Sequence, residues 1–588
     1  MESRLQQSNL QHNNACLSTL RNWERLGVDN FSLRLQKRAN KTFSKKSIIP
    51  YELLSNQSNA DAIYKFVQKI KDTNSSIKTI INSLCFGLLK HKINLEAKIK
   101  AQPFFAELLS DYDENISNII LPTEENDLLG LIYQMLFFEG QKNKLGSYYT
   151  PQYIIDGLFS NIKISDKTTF LDPCCGSGRF LLKFETTNPE NVYGFDIDEN
   201  AVKIAKTNLI IKYANIDFMP NIHCVDFLKI GADLFLSNLF SDLRVDYIFT
   251  NPPWGTKYDE DYSTIFTQIC SKELFSFFIV KSTQFIKQSG HMGFVLPEAF
   301  MNVKIHKDIR SFMLKHLEIS EITDCGSCFS GVISKVLTIG FNAKIQNEPN
   351  IRAVKDGETY FIKRENFVVD KDNTFSIAKN DEQELIKKIY NQPYQTLSNS
   401  VWGLGVVTGD NANKLFDVQK NDSVPILTGK DIKKIKVKEA TRYFVFDKKK
   451  LQQAASEEIY KAKEKLIYKF ISYNLVFAYD DKQSFTLNSA NLLIPKIDGM
   501  SAKTVCAFLN SHVMQFVHKK LFNQIKILKG DLCKLPFPEI DEDTNKQFSK
   551  YIDSYIGGTD TSSKINKLVY KSYSLTEEEI SLIESSIR

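Results

Sequence analysis

Two consecutive prolines constrain this chain more than any other feature. Pro252 and Pro253 stop the short apolar run Asp246-Tyr247-Ile248-Phe249-Thr250, which has the length and composition of a buried strand. Neither proline can donate to a sheet ladder, so the strand ends there with carbonyls left over. Asn251 and Trp254 flank the pair. A side-chain amide, a bare main-chain carbonyl and a flat aromatic surface are thus presented together at the carboxyl end of a strand. Open α/β sheets keep their chemistry at that end. Such a set can accept both N–H hydrogens of a planar amine while Trp254 covers its ring; the plain alternative is a strand-ending turn.

Upstream, Phe170-Leu171-Asp172-Pro173-Cys174-Cys175-Gly176-Ser177-Gly178-Arg179-Phe180 reads as strand, tight glycine turn, then helix. Gly176 and Gly178 let backbone approach a ligand closely, and the helix N–H groups face it. Eighteen residues past Gly178, Val192-Tyr193-Gly194-Phe195-Asp196 reads as a second strand ending in a carboxylate. That spacing places Asp196 to accept hydrogen bonds from both hydroxyls of a ribose. The third glycine of a dinucleotide fingerprint is missing, because position 181 is Leu181. Asp172 at the turn opposes a phosphate and suits a cation, an ammonium or a sulfonium. S-adenosylmethionine fits this pattern better than a nicotinamide dinucleotide.

Asp-Pro-Cys-Cys-Gly-Ser-Gly-Arg-Phe followed by Asn-Pro-Pro-Trp resembles the gamma class of amino DNA methyltransferases, the N6-adenine type. A third element, Gly146-Ser147-Tyr148-Tyr149-Thr150-Pro151, precedes the cofactor loop as it does in that class and in type I modification subunits. The resemblance runs from about Asp127 to the C-terminus. It implies a Rossmann-like α/β sheet that uses S-adenosylmethionine, with no metal, and double-stranded DNA as partner; it leaves room for a separate cognate endonuclease.

The resemblance also implies roles for matching residues. Thr150 would bind the carboxylate of the cofactor's methionine moiety, Asp172 its ammonium and Asp196 its ribose. Asp226 would take the exocyclic amine of the cofactor's adenine, a helix cap being the competing reading. Leu274 and Phe275 would wall the pocket or simply belong to the core. Phe329 would stack with Trp254 on an extruded base, against a second plain reading as core. An adenine amine is a poor nucleophile because its lone pair is delocalised into the ring. Hydrogen bonds to Asn251 Oδ1 and the Pro252 carbonyl would favour a more tetrahedral nitrogen, and alignment in a dry pocket would supply the rest. The base must first leave the duplex.

With 588 residues the chain exceeds one core. The resemblance and the changes in composition divide it into a basic, helix-turn-helix-like arm over 1–50, a helical domain over 51–125, a catalytic domain over 126–348 and an α+β target-recognition domain over 349–588. Arg34 to Lys46 holds six basic residues and no acid, either a DNA-backbone contact or a solvated linker. Thr428-Gly429-Lys430-Asp431-Ile432 and Leu528-Lys529-Gly530-Asp531-Leu532 resemble paired turns of the family's specificity domain. Val406-Val407-Thr408-Gly409-Asp410-Asn411 resembles another. Lys433, Lys434, Lys436, Lys438, Lys461, Lys463, Lys465 and Lys469 are expected phosphate contacts or ordinary surface residues.

Hydrophobic content of 43% and charged content of 24% are those of a globular protein, and a formal charge of +6 requires any nucleic-acid surface to be local. No signal pattern or membrane-length apolar run is present, so a cytoplasmic, nucleoid-associated protein is expected. Cys325 and Cys328 form the sole C-x-x-C, too little for zinc. Trp254 stands where the family more often has tyrosine, and no role is evident for paired Cys174 and Cys175. Rival readings are a release-factor glutamine or RNA methyltransferase, and a DNA-binding specificity protein whose transferase domain is inactive.

Overall fold

The computed structural model describes residues 54, 59–73, 75–118, 127–136, 149–254, 262–271, 273–329, 335–369, 371–522 and 526–587. The expected basic arm and Gly146 to Tyr148 lie outside the described residues. The chain divides into compact units that meet in sequence at Ile377 and Ala378.

The first unit opens with α1 (Ala60–Lys71), α2 (Ile77–Lys92), α3 (Gln102–Leu109) and α4 (Leu128–Leu136). Ser76 caps α2 by accepting the Thr79 N–H at 3.0 Å, a contact typically worth about 1 kcal/mol. Every residue of α4 is buried, as a helix apolar on all sides requires. It packs against α1, α2 and the later helix Glu199–Lys212. Ala201, Ile204 and Ile210 of that helix share one core with Ile81, Leu84 and Ile132. The boundary expected at 125 therefore runs through continuous packing.

After α5 (Gln152–Phe159) come β1 (Phe170–Asp172), α6 (Arg179–Lys183), β2 (Val192–Asp196), α7 (Glu199–Lys212), β3 (Asn221–Cys224) and β4 (Val245–Thr250). The unit continues with α8 (Leu274–Ser282), β5 (Ile286–Pro297), α9 (Lys307–His316), β6 (Glu318–Gly326), β7 (Val336–Asn342), β8 (Asn350–Lys355) and β9 (Glu358–Lys363). The strands form a nine-stranded sheet in the order β3-β2-β1-β4-β5-β7-β6-β8-β9. Strands β1 to β5 are mutually parallel, and β7 enters antiparallel between β5 and β6. The chain leaves β1 toward β2 and β3, then returns to β4 on the other side. That reversal opens a crevice at the carboxyl ends of β1 and β4. Apolar cores fill the sheet's surroundings, one including Phe195, Ile248, Phe275 and Phe294, another Phe170, Leu181, Phe249 and Val295. The fold is the expected methyltransferase-like α/β sheet. The last two strands toward one edge, β8 and β9, lie beyond residue 348, where the recognition domain was expected to begin, and the unit continues to Ile377.

The second unit is α+β. After α10 (Asn380–Asn391) come β10 (Val401–Gly403), β11 (Val424–Leu427), β12 (Arg442–Phe444), β13 (Lys465–Lys469), β14 (Phe477–Asp480), β15 (Phe485–Thr486) and β16 (Ala490–Ile494). They form a four-stranded sheet, β10-β16-β13-β14, and a three-stranded sheet, β12-β11-β15. Helices α11 (Ala502–Asn510), α12 (His512–Leu521), α13 (Glu542–Ile556), α14 (Ser562–Ser572) and α15 (Glu577–Ile587) follow, and Leu466, Phe477, Phe508, Phe548 and Val569 share a core. Thr576 and Glu579 exchange side-chain and main-chain hydrogen bonds, so α15 has a capped start. Among the described residues, no helix is long and apolar enough to cross a membrane.

One expected phosphate ligand is excluded here. Lys465 and Asp480 are both fully buried, their charged atoms 2.5 Å apart, and Lys465 Nζ also donates to the Tyr460 carbonyl at 2.6 Å. An ammonium enclosed this way cannot reach a phosphate. Lys465→Met should strand the Asp480 carboxylate and lower stability by about 3–5 kcal/mol, read as an earlier urea midpoint. Lys465→Met with Asp480→Leu should recover most of that loss.

Candidate active site

Two carboxylates organise the crevice, and each is set differently. Asp172 ends β1 with 1% of its surface exposed. Its Oδ1 accepts the Thr250 hydroxyl at 2.6 Å and the Cys174 N–H at 3.2 Å. Both donors converge on that one oxygen. Burial pushes Asp172 up to about 7, the two hydrogen bonds opposing and the Asp196 charge adding to the rise. Asp196 ends β2; its Oδ2 accepts the Gly176 N–H at 2.8 Å and its Oδ1 the Asp198 N–H at 2.9 Å. Burial raises it to about 6 against those backbone donors. Each oxygen keeps spare acceptor capacity.

The loop between these acids requires its glycines. Gly176 has φ +53° and Gly178 φ +93°, the left-handed region that side chains disfavour. A Cβ at Gly178 would lie 3.2 Å from Ala205 Cβ, so the loop also rests close on α7. The paired cysteines find places here. Cys174 Sγ lies 2.9 Å from Thr250 Oγ1 and donates to the Asn251 carbonyl at 3.5 Å, stitching the loop to the end of β4. Cys175 is 6% exposed and packs beneath β2 where Gly194 has no side chain: a Cβ there would meet Cys175 Sγ at 3.0 Å. These are packing roles that composition does not advertise.

At the end of β4, Asn251 Nδ2 donates to Thr150 Oγ1 at 3.1 Å. Thr150, 4% exposed, immediately precedes Pro151 at the start of α5. That bond takes up the nitrogen side of the amide and sets Oδ1 as its acceptor end. Pro252 is buried and Pro253 half-buried. Trp254 Nε1 donates to the Val295 carbonyl at 3.1 Å. Its ring meets Phe329 edge-on, centroids 5.4 Å apart and planes at 78°. The structure thus brings Thr150, Asp172, Asn251 and Cys174 into one hydrogen-bonded group, with Gly176 and Asp196 adjoining and the Trp254–Phe329 pair beyond.

Asp226 and Phe275 stand differently. Asp226 caps a short helical turn by accepting the Leu228 N–H at 3.0 Å, and its other oxygen accepts the Tyr262 hydroxyl at 2.8 Å. The cap reading therefore describes its protein contacts. Phe275 is 0% exposed in the core, 5.4 Å from the His306 ring, so packing accounts for it.

Sequence reasoning missed a third acid. Asp127, 4% exposed, precedes α4 and accepts from Ser177 Oγ in the glycine loop. It also accepts the Asn208 amide at 2.8 Å and the Gly130 N–H at 3.0 Å. Burial pushes it up to about 6, with Arg179 and the hydrogen bonds pulling the other way. From the same helix, the Tyr133 hydroxyl donates to Asp198 Oδ2 at 2.6 Å. Helix α4 thus holds the glycine loop from outside the sheet. The one sequence signal was the acidic stretch Glu124-Glu125-Asn126-Asp127 ahead of a largely apolar helix.

The residues present fit S-adenosylmethionine: Gly176 and Gly178 let backbone come close to a ligand, and the acids Asp172 and Asp196, raised by burial, are of the sign that suits a cation.

The chain matches the family described as N-6 DNA Methylase over residues 124–404 and the TaqI-like C-terminal specificity domain over 424–537. Type II methyltransferase M.VspI of Vibrio sp. (strain 343) is 30% identical over 334 residues, 55% of this chain and 79% of that protein. Type II methyltransferase M.BanIII of Aneurinibacillus aneurinilyticus is 27% identical over 226 residues, 34% of this chain and 39% of that protein. The structure of the type IIL restriction-modification enzyme MmeI in complex with DNA superposes with a TM-score of 0.60 at 14% identity, over 95% of this chain and 97% of that one. The DrdV–DNA complex gives 0.54 at 13% identity, over 91% and 70%. At those identities the likeness is one of fold.

Asp127→Ala would leave Ser177, Asn208 and the Gly130 N–H without their acceptor. It should cost about 2–3 kcal/mol in urea unfolding, and Asp127→Asn less.

Proposed function

The chain belongs to the N-6 DNA methylase family, and we infer that it moves a methyl group from S-adenosylmethionine to the N6 amine of an adenine in double-stranded DNA, as the modification component of a restriction-modification system. The family and the similarity to a type II methyltransferase favour this over a release-factor or RNA methyltransferase and over an inactive specificity protein. The observation that carries the residue-level reading is the Thr150–Asn251 hydrogen bond. It fixes which end of the amide is the acceptor, directly beside the Asp172 carboxylate.

When bound, S-adenosylmethionine supplies an electrophilic methyl group on a sulfonium. Asp172 holds its ammonium and Asp196 its ribose hydroxyls, while Gly176 and Gly178 keep side chains out of its way. Thr150 orients Asn251 and meets the methionine carboxylate; Asp226 and the Phe275 helix border the adenine end. Asn251 Oδ1 and the Pro252 carbonyl accept the two N–H hydrogens of the flipped adenine. Positive charge growing on that nitrogen then faces two partially negative oxygens that need not reorganise. Pro253 ends the strand so that no ladder partner competes for those carbonyls. Trp254, anchored through Val295, and Phe329 stack on the base, offsetting part of the cost of unstacking at about 1–3 kcal/mol per contact. The C-terminal unit, which matches the specificity domain, selects the sequence.

Asn251→Ala should retain S-adenosylmethionine binding by calorimetry yet lose transfer of labelled methyl to adenine in duplex DNA by at least about a hundredfold. Unchanged turnover would remove Asn251 from the mechanism. Label found in RNA or protein alone would remove the substrate assignment.

Affinity for the cofactor should depend on pH. Asp172, raised to about 7, is increasingly protonated below that value and must lose its proton to pair with an ammonium. Calorimetric affinity should therefore fall as pH drops through 7, by up to about tenfold per unit, with proton release on binding. Asp172→Asn should bind weakly and with a flattened profile.

A further inference from the structure

We propose that the tip Ile471–Asn474, between β13 and β14, enters the DNA groove and reads base edges, with Lys430, Lys526 and Lys529 gripping phosphates on either side. This rests on the DNA methyltransferase reading and names the reading element within the specificity unit.

The first observation is exposure. Tyr473 is 84% exposed and Ile471 is 62% exposed, two residues apart on one tip. Large apolar side chains held in water together mark a surface that meets something.

The tip is displayed from a rigid frame. At its start, the Phe470 N–H donates to the Ser489 carbonyl at 3.1 Å and the Ile527 N–H to the Phe470 carbonyl at 2.9 Å. Ile471 pairs with Lys526 in an antiparallel bridge. At its end, the Leu475 N–H donates to Gln515 Oε1 at 2.8 Å, and Gln515 Nε2 returns a bond to the Leu475 carbonyl at 2.9 Å. Both Leu475 and Gln515 are buried. A tip clamped at both ends presents its side chains with little ordering left to do on binding.

Charge identifies the partner. The turn carrying Gly429 and Lys430 meets the same edge, because the Gly429 N–H donates to Ser489 Oγ at 2.9 Å. Lys430, Lys526 and Lys529 are exposed there and Lys469 is half-exposed. Acids on the adjoining turns are turned inward or engaged. Asp431 is 8% exposed and accepts the Thr428 N–H and hydroxyl, both at 2.7 Å. Burial pushes Asp531 up to about 6, and Asp410 accepts from Asn413 at 2.7 Å. Exposed Asn474, Asn488 and Ser489 add amide and hydroxyl groups able to pair with base edges. An aromatic and an amide between lysines is what a groove with phosphate walls accepts. The turns singled out in the sequence at 428–432 and 528–532 thereby gain a physical purpose: they carry the lysines that flank the tip.

The test uses the full chain. Sequencing methylated bases in DNA from an expressing host defines the motif, and anisotropy with motif-bearing and motif-free duplexes measures discrimination. Tyr473→Ala and Ile471→Ala should weaken binding to the motif by about tenfold to a hundredfold, leave motif-free duplex binding within twofold, and relax the methylated motif. Lys526→Ala should weaken both duplexes alike and lower the salt slope by about one. Tyr394→Ala, also exposed in this unit, should change neither. Both tip positions are exposed, and unchanged melting temperatures would establish that the variants fold. Wild-type protein that methylates a defined motif, alongside tip variants with unaltered discrimination, overturns this inference alone. Wild-type protein that leaves DNA adenine unmodified overturns the function and this inference together.

Discussion

The hydrogen bond from Thr250 to Asp172 carries more of this molecule than its 2.6 Å suggests. It joins the last residue of β4 to the last residue of β1, the two strands that border the crevice. Thr250 has no exposed surface and Asp172 almost none, so neither group can satisfy itself from water. Asn251 follows Thr250 directly, and the register of Leu171 against Ile248 sets how far β4 extends before the prolines stop it. One buried contact therefore ties the ends of both strands together and sets Asp172 and Asn251 at the same crevice. Cys174 reinforces it from the loop side, touching Thr250 and the Asn251 carbonyl.

How much of this was legible in the sequence follows from the range over which each signal acts. Strand, glycine turn and helix at 170–183 are local patterns, and the double proline is an unambiguous stop; the crevice was readable from these alone. Asp196 was readable because loop length, not tertiary packing, brings it beside Gly176. Asp127 was not, since its contact with Ser177 spans 50 residues and nothing nearby marks the acid as paired. Lys465 failed for the same reason: a lysine in a basic stretch gives no sign that Asp480 lies opposite it on the next strand. The boundary expected at 348 differed because β8 and β9 extend the sheet of the first unit, an edge pairing that composition does not reveal. Asp226 and Phe275 matched family positions, yet their protein contacts are a cap and a core, which shows where a motif stops specifying geometry.

The three crevice acids are raised by the same cause, burial, but they are not equivalent. Asp127 receives donors from Ser177, Asn208 and Gly130, which occupy most of the acceptor capacity of a carboxylate. It is complete without a ligand, and its work is to hold the loop. Asp196 has one backbone donor per oxygen and spare capacity on each. Asp172 receives both of its donors on Oδ1. Within one crevice the donors are thus distributed differently, most complete on Asp127 and confined to one oxygen on Asp172.

That distribution bears on why the site tolerates buried acids at all. An ionised carboxylate without a counter-charge is costly in an apolar interior, and burial accordingly raises Asp172 to about 7, where its neutral and charged forms are nearly equal in free energy around neutral pH. Near neutral pH the Asp172 carboxyl therefore holds its proton part of the time, which relieves the cost of burying a full charge to that extent. Asn251 follows the opposite strategy. Its Nδ2 donates to Thr150, and that bond orients the amide. An acid whose charge changes with pH thus lies one hydrogen-bonded residue, Thr250, away from an amide held by a neutral partner.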